Sequence, residues 1–111
     1  EGAGAGTTLN VPLSPGATDR DIYAALQENL LPAAALFRPD FILISAGFDA
    51  MRGDLLGCFD VTPAGFAAVT KLVMELADEH CEGRIVSVLE GGYRIDGLAE
   101  CAAAHVTALQ S

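Results

Sequence analysis

Length, composition and charge set the first limits on what this chain can be. It has 111 residues, 51% of them hydrophobic, and its mean hydropathy is +0.38. These values exclude a disordered tail and predict one domain or a piece of one. A net charge of −9 repels phosphate groups, so we expect neither direct nucleic-acid binding nor docking to an anionic membrane. The same charge would attract a cationic substrate.

The cysteine pattern and the apolar runs indicate the compartment. Cys58, Cys81 and Cys101 are odd in number and form no C-x-x-C pair, which argues against a disulfide framework. Reduced thiols are typical of proteins inside the cell, so we expect a cytoplasmic protein, or a nuclear one in a eukaryote. No apolar run reaches the roughly 18 residues of a membrane span, and no signal peptide is visible.

The first part of the chain predicts a strand followed by a helix. Residues 7–13 are expected to form a short strand that ends near Pro12. Residues 18–21 resemble the capping box of a helix start. The helix that follows presents one apolar face, made of Ile22, Leu26, Leu30 and Ala33. Pro32 should kink this helix or divide it in two, because proline lacks the N–H that a helix interior uses.

The middle of the chain predicts a second strand and a second helix. The continuous apolar run 41–46 is typical of a strand buried on both faces of a parallel sheet. Thr62 and Pro63 favour a helix start, and Gly83 lies where the end of that helix is expected. The apolar stripe of the helix consists of Phe66, Val69, Val73, Leu76 and Ala77.

A third strand and a last helix complete the pattern. Residues 84–89 predict the strand, and the helix runs from about Asp96 to Leu109. Its expected inner side consists of Leu98, Cys101, Ala102, Val106 and Leu109. Strands that alternate with helical crossovers predict an α/β fold with a mainly parallel sheet and flanking helices. Such sheets carry their chemistry at the carboxyl ends of the strands, and two glycine-bearing turns, 47–49 and 91–93, follow strands here.

Four motifs, in order along the chain, resemble one enzyme family. They are Asn10-Val11-Pro12-Leu13, Ser45-Ala46-Gly47-Phe48-Asp49-Ala50, Gly53-Asp54-Leu55-Leu56-Gly57 and Leu89-Glu90-Gly91-Gly92-Tyr93. Together they resemble the second half of the histone deacetylase family. Their form is closer to its class II and bacterial members, which include acetylpolyamine amidohydrolases and acetoin-utilisation proteins. The resemblance implies a three-layer α/β/α domain of the arginase and deacetylase type, of which residues 1–111 are the C-terminal part.

The resemblance also implies a reaction, the zinc-dependent removal of acetyl or other acyl groups from lysine side chains or polyamines. By position, Asp49 matches one of the family's three zinc ligands. Tyr93 matches the family's catalytic tyrosine, which donates a hydrogen bond to the oxyanion. Apart from the resemblance, Asp49 would be a turn residue and Tyr93 a core or rim tyrosine.

Substrate contacts are implied at Leu56, Gly91 and Gly92. Leu56 matches an apolar residue that lines the acyl-lysine channel, although a loop-packing leucine is an equal alternative. Gly91 and Gly92 would leave room for substrate close to the backbone. Leu55 departs from the family's pattern, which usually has proline there, and this departure bears on the shape of the loop.

Other parts of the family's site are absent from these 111 residues. They contain neither the adjacent histidine pair that moves protons nor the Asp-x-His segment that supplies the other zinc ligands, and His80 and His105 fit no metal motif. We expect that the chain alone neither binds catalytic zinc tightly nor turns over substrate. The alternatives are an inactive or truncated deacetylase-like domain that binds acylated ligands or partners, and an unrelated small α/β module. An uncovered sheet should also promote self-association into homo-oligomers.

Overall fold

The computed structural model describes all of residues 1–111. A short 3-10 turn at Gly2–Gly4 comes first. The main elements are the helices α1 (Asp19–Ala25), α2 (Leu31–Phe37), α3 (Pro63–His80) and α4 (Ile95–Leu109) and the strands β1 (Ile42–Ala46) and β2 (Ile85–Leu89). None of these helices combines the length and the apolar character that crossing a bilayer demands. The three cysteine thiols are unbonded.

The sheet consists of β1 and β2, which pair in parallel with Ile42 opposite Ile85 and Ala46 opposite Leu89. Both strands lie within the predicted runs, so the α/β class with a parallel sheet is confirmed. The strand predicted at residues 7–13 is wrong. This segment is largely exposed and belongs to no ladder. An extended segment becomes a strand only where a neighbour satisfies its backbone hydrogen bonds, and neither β1 nor β2 lies beside it.

One side of the sheet, called here the inner face, is covered by helices. It carries Ile42, Ile44, Ala46, Ile85 and Ser87. Helices α3 and α4 pack against each other and over this face, around a core of Ala46, Phe48, Met51, Val61, Phe66 and Cys101. The rings of Phe48 and Phe66 meet edge to face with centroids 5.1 Å apart, an arrangement that aromatic pairs favour. The turn after β1 is therefore anchored in the core.

The opposite side, called here the outer face, carries Leu43, Ser45, Val86 and Val88, and no helix of the chain covers it. Leu43 is 74% exposed and Val88 is 55% exposed. The prediction that β1 is buried on both faces is therefore wrong for this chain. A continuous apolar run shows that both faces can be buried, but α3 and α4 both pack on the inner side.

The N-terminal helices follow the predicted capping box and proline. The backbone N–H and the hydroxyl of Thr18 donate to the carboxylate of Asp21 at 2.9 and 3.0 Å, and they hold the pKa of Asp21 below its usual value. A π-helical turn, Leu26–Leu30, separates α1 from α2, and Pro32 lies in the first turn of α2. Because Pro32 has no N–H for a helical bond, the regular helix is interrupted there, as predicted.

Helix α3 begins where the sequence predicts and is tied there to α1. The hydroxyl oxygen of Thr62 accepts a hydrogen bond from Gly65 N–H at 3.2 Å, while the N–H and hydroxyl of Thr62 donate to the Asp19 carboxylate. A Cβ at residue 65 would overlap that carboxylate, so the contact requires glycine. The helix ends in two left-handed residues, Glu82 (φ 55°) and Gly83 (φ 75°), which confirms the predicted glycine stop.

Helix α4 is rotated slightly from the predicted orientation. Its buried residues are Cys101, His105 and Ala108. Val106, which was expected inside, is 48% exposed, so that part of the prediction is wrong. The rotation turns His105 toward the inner face, where its ring meets polar partners that a valine could not satisfy.

Candidate functional site

The two glycine-bearing turns meet at the carboxyl edge of the sheet. Past the last residue pair of the strands, Glu90 N–H donates to the Ala46 carbonyl at 3.0 Å, and Phe48 N–H donates to the Gly91 carbonyl at 2.7 Å. The backbone ladder therefore continues from the strands into both turns. This places the segment 47–49 directly beside 91–93, as a parallel sheet requires.

Asp49 projects from this edge into solvent, next to two glycines. A Cβ at Gly91 would lie 3.1 Å from Cγ of Asp49 and 3.2 Å from each carboxylate oxygen. A Cβ at Gly47 would lie 2.9 Å from Oδ1. A Cβ at either position would make the exposed carboxylate shift, so both glycines border it closely. Gly91 thus contacts the proposed metal ligand, in addition to its implied role toward substrate.

The loop 53–57 packs against the backbone of Asp49. A Cβ at Gly57 would overlap the Asp49 carbonyl oxygen, so only glycine permits this approach. Leu55 and Leu56 at the loop tip are each 75% exposed. The side chain of Leu56 is therefore available at the edge of the site and is not packed into the loop. The loop stays closed although Leu55 replaces proline, because Asp54 accepts hydrogen bonds from the N–H groups of Leu56 and Gly57.

Asp54 closes the loop and connects it to the second turn. Its Oδ2 accepts hydrogen bonds from the N–H groups of Leu56 and Gly57 at 2.9 and 2.8 Å, and its Oδ1 accepts one from Tyr93 N–H at 2.8 Å. Desolvation alone would raise the pKa of Asp54. The N–H donors of Tyr93, Gly57, Leu56 and Arg94 outweigh that effect and hold the pKa below its usual value. Asp54 therefore stays ionised and positions Tyr93.

Tyr93 lies at the same edge, 47% exposed, with its backbone held by Asp54. The preceding Gly92 has a φ of 140°, and a Cβ there would lie 2.7 Å from Leu98 Cδ1 and 3.3 Å from Phe48 Cβ. Gly92 therefore contacts α4 and the core, whereas Gly91 borders Asp49. The sequence predicted one role for both glycines, and the structure gives them different neighbours.

Two residues that hold the site together were not among the predicted site residues. Asp54 could have been found, because an aspartate whose side chain caps its own backbone two and three residues on is a known turn signal. Arg94 donates from Nη1 to the Arg52 carbonyl at 3.2 Å and so ties the second turn to the loop. No sequence pattern points to this contact, which joins residues 42 positions apart.

The chain by itself does not bring together enough side chains to hold a metal ion at this edge. Asp49 offers a carboxylate oxygen of the kind zinc accepts. No group of three or more His, Cys, Asp and Glu side chains in the chain could hold a metal ion. His105 is buried and hydrogen-bonded to Thr70 and Ser87. Nε2 of His80 lies 3.9 Å from Oε2 of Glu79. The residues present do not fit a complete zinc site.

Four shallow cavities of about 250 to 470 Å³ lie on the molecule. Neither Asp49 nor Tyr93 lines any of them. Asp49 is exposed and Tyr93 is 47% exposed, so a ligand or another part of the protein could approach both side chains.

Known proteins resemble the chain over nearly its whole length. Residues 1–109 match the histone deacetylase domain. Histone deacetylase 15 of Arabidopsis thaliana is 46% identical over 107 residues, which are 96% of this chain and 19% of that protein. Histone deacetylase clr3 of Schizosaccharomyces pombe is 42% identical over 98% of this chain and 15% of that protein. A probable deacetylase of Archaeoglobus fulgidus is 40% identical over 86% of this chain and 27% of that protein.

Solved structures agree with this similarity. The crystal structure of the HDA15 HD domain superposes with a TM-score of 0.89 at 44% identity, covering 98% of this chain and 30% of that one. The structure of the histone deacetylase Clr3 gives 0.88 at 41% identity, covering 98% of this chain and 18% of that one. The chain thus spans less than a third of each protein described here. The family resemblance is confirmed, and the chain belongs to the histone deacetylase domain family.

Proposed function

We propose that this chain is part of a zinc-dependent deacetylase that hydrolyses the acetyl amide, or a related acyl amide, of a lysine side chain or a polyamine. The proposal rests on the placement of Asp49 and Tyr93 at the same edge of the sheet. The carboxylate of Asp49 borders Gly91, and Asp54 accepts a hydrogen bond from the backbone N–H of Tyr93. Membership of the histone deacetylase domain family supports deacetylation as the reaction class.

Asp49 would act as one oxygen ligand of the metal, with the remaining ligands supplied from outside residues 1–111. When bound, zinc would polarise the amide carbonyl and activate a water molecule for attack. The phenol of Tyr93 would donate a hydrogen bond to the carbonyl oxygen as it becomes an oxyanion. Gly91 leaves the carboxylate in its present position, because a Cβ there would make it shift slightly.

The proposed substrate is an acetylated lysine peptide or protein, or an acetylpolyamine. Leu56 is 75% exposed on the loop that packs against Asp49, so it can contact the apolar stem of such a substrate. The net charge of −9 favours the approach of a molecule with cationic groups. The same charge supports the proposal that nucleic acid and anionic membranes are not partners.

The proposal predicts a large effect of Tyr93→Phe in the protein expressed from its complete gene. Turnover of an acetyl-lysine peptide and of an acetylpolyamine should fall about 10²- to 10³-fold, as for the loss of an oxyanion donor. KM should change little, because the phenol acts mainly in the transition state. Tyr23→Phe is the matched control, since Tyr23 is the only other tyrosine and lies in α1.

Asp49→Asn tests the metal role by a separate measurement. The zinc content of the purified protein should drop in this variant, while Asp78→Asn at the exposed end of α3 should keep it. Unchanged turnover in Tyr93→Phe would remove the oxyanion role. A wild-type protein that binds the acetylated peptide without hydrolysing it would favour the inactive, ligand-binding alternative.

A further inference from the structure

A second polar arrangement lies under the carboxyl edge, on the inner face of the sheet, and has no part in the proposed chemistry. It joins three elements through the ring of His105 in α4. Nδ1 lies 2.7 Å from Oγ1 of Thr70 in α3, and Nε2 lies 2.8 Å from Oγ of Ser87 in β2. His105 and Thr70 are buried, at 7% and 3% exposure. Both ring nitrogens are thus occupied inside the core.

The hydrogen bonds of this cluster determine which ring nitrogen carries the proton. Thr70 has one hydroxyl proton and donates it to the Phe66 carbonyl at 2.6 Å. Its oxygen can then only accept from the ring, so Nδ1 of His105 must be the N–H. Nε2 of the neutral ring is left as an acceptor for the hydroxyl of Ser87. The bonds run in one direction, from Ser87 through His105 and Thr70 to Phe66. Burial also lowers the pKa of His105 and so favours the neutral ring.

The ring of His105 contacts the residue that precedes Asp49. Its centroid lies 5.6 Å from that of Phe48, with the planes at 66°. Phe48 is 3% exposed and donates its backbone N–H to the Gly91 carbonyl, and a Cβ at Gly91 would lie 3.1 Å from Cγ of Asp49. A shift of the ring would therefore reach Asp49 through one packed neighbour.

The ring of His105 is not packed on every side. His105, Phe48, Phe66 and Thr70 border a largely apolar cavity of about 250 Å³. The hydrogen bonds to Thr70 and Ser87 therefore contribute to the orientation of the ring, together with its contact with Phe48.

We propose that His105 is a positioning residue, held as the neutral Nδ1–H tautomer between Ser87 and Thr70, which fixes the Phe48–Asp49 turn against Gly91. The tautomer follows from the hydrogen bonds, and the positioning of the turn follows from the contact between the His105 and Phe48 rings. The consequence for catalysis rests on the proposed function.

The test uses the protein expressed from its complete gene, with Thr70→Val as the main variant and Thr70→Ser as the conservative one. The nitrogen chemical shifts of the wild-type His105 ring at neutral pH should report protonated Nδ1 and bare Nε2. In Thr70→Val the amide hydrogen of Phe48 should exchange faster, and kcat should fall about tenfold or more with KM little changed. Thr70→Ser keeps the hydroxyl, so this variant should have the wild-type Phe48 amide exchange rate and the wild-type kcat. Leu76→Ala, buried elsewhere on α3, controls for general destabilisation and should keep the wild-type kcat per folded molecule.

Each outcome decides a separate question. A ring protonated at Nε2, or a Phe48 amide that exchanges equally in wild type and Thr70→Val, overturns the positioning role even if the enzyme is active. Leu76→Ala losing as much kcat as Thr70→Val would also overturn it, because the effect would then be general destabilisation. A wild-type protein with the Nδ1–H ring but no deacetylation removes the proposed function and leaves the positioning of the turn intact.

Discussion

The inner and outer faces of the sheet contrast sharply although the same two strands build both. Ile44 and Leu43 are neighbours on β1 and are similar in size and hydrophobicity. Ile44 packs against the core, whereas Leu43 is 74% exposed. The strand sequence does not distinguish them. An apolar run therefore shows only that both faces of a strand can be buried. The packing of the helices decides which face is buried.

The contrast has a chemical consequence at the carboxyl edge, where the chain passes from the core to solvent within one residue. Phe48 is 3% exposed, and the next residue, Asp49, is exposed. Because Phe48 is fixed in the core, the backbone of the next residue, Asp49, is held in place while its carboxylate faces solvent. The packing of Phe48 at the inner face thus positions the carboxylate of Asp49 at the edge of the sheet.

Truncating the two neighbours on β1 tests the contrast between the faces most strongly. Ile44→Ala should lower the free energy of unfolding by about 2 kcal/mol, because it removes packed methylene groups from the core. Leu43→Ala should change it by less than about 0.5 kcal/mol, because the side chain is mostly in water. Denaturant unfolding of the 111-residue chain at several protein concentrations measures both. Equal losses would break the comparison and mean that the outer face is covered, for instance by a second copy.

A smaller effect is expected at the start of the helix that covers the inner face. Thr62→Ala removes the cap of α3 and the hydrogen bond from the Thr62 hydroxyl to Asp19, and it should lower the free energy of unfolding by about 1 kcal/mol. Thr62→Ser keeps the hydroxyl and should remain close to wild type. The same denaturant measurement compares them, and equal stability of the two variants would show that the cap does not secure α3.

The smallest expected effect is a pH dependence at the open edge. The pKa of Asp54 is lowered from 3.8 in the folded chain, so its ionised form adds stability that is complete above the unfolded value. This contribution is lost as the pH falls through the folded value. A carbon NMR titration of the Asp54 carboxyl should give a midpoint below 3.8, and Asp54→Asn should weaken the acid dependence of unfolding. A midpoint at or above 3.8 would show that the backbone donors do not hold this carboxylate.

Local patterns predicted much of the fold because their causes are local. The capping box at Thr18, the cap at Thr62 and the stop at Gly83 each depend on residues within a few positions. The motif around Asp49 and the one around Tyr93 placed both residues at strand ends, where the structure has them. Their proposed roles remain predictions that the variants above can test.

The predictions that failed, and the contacts that were missed, depended on long-range partners. Residues 7–13 lack a neighbouring strand, and Val106 faces solvent because His105 takes the inner position. The bond from Asp54 to Tyr93 spans 39 residues, and that from Thr70 to His105 spans 35. Contacts at such separations leave no periodicity in the sequence.

Short stretches of the sequence were enough to indicate the family, the α/β class, the helix ends and the two turns that carry Asp49 and Tyr93. Hydrophobic periodicity, capping residues and motif spacing depend on residues that are close together in the chain, so they can be recognised in the sequence. The folded chain was needed to show which sheet face is covered, how Asp54 joins the two turns, and how His105 packs against Phe48. Those features arise when distant segments pack together, because packing alone brings their hydrogen-bonding groups within reach.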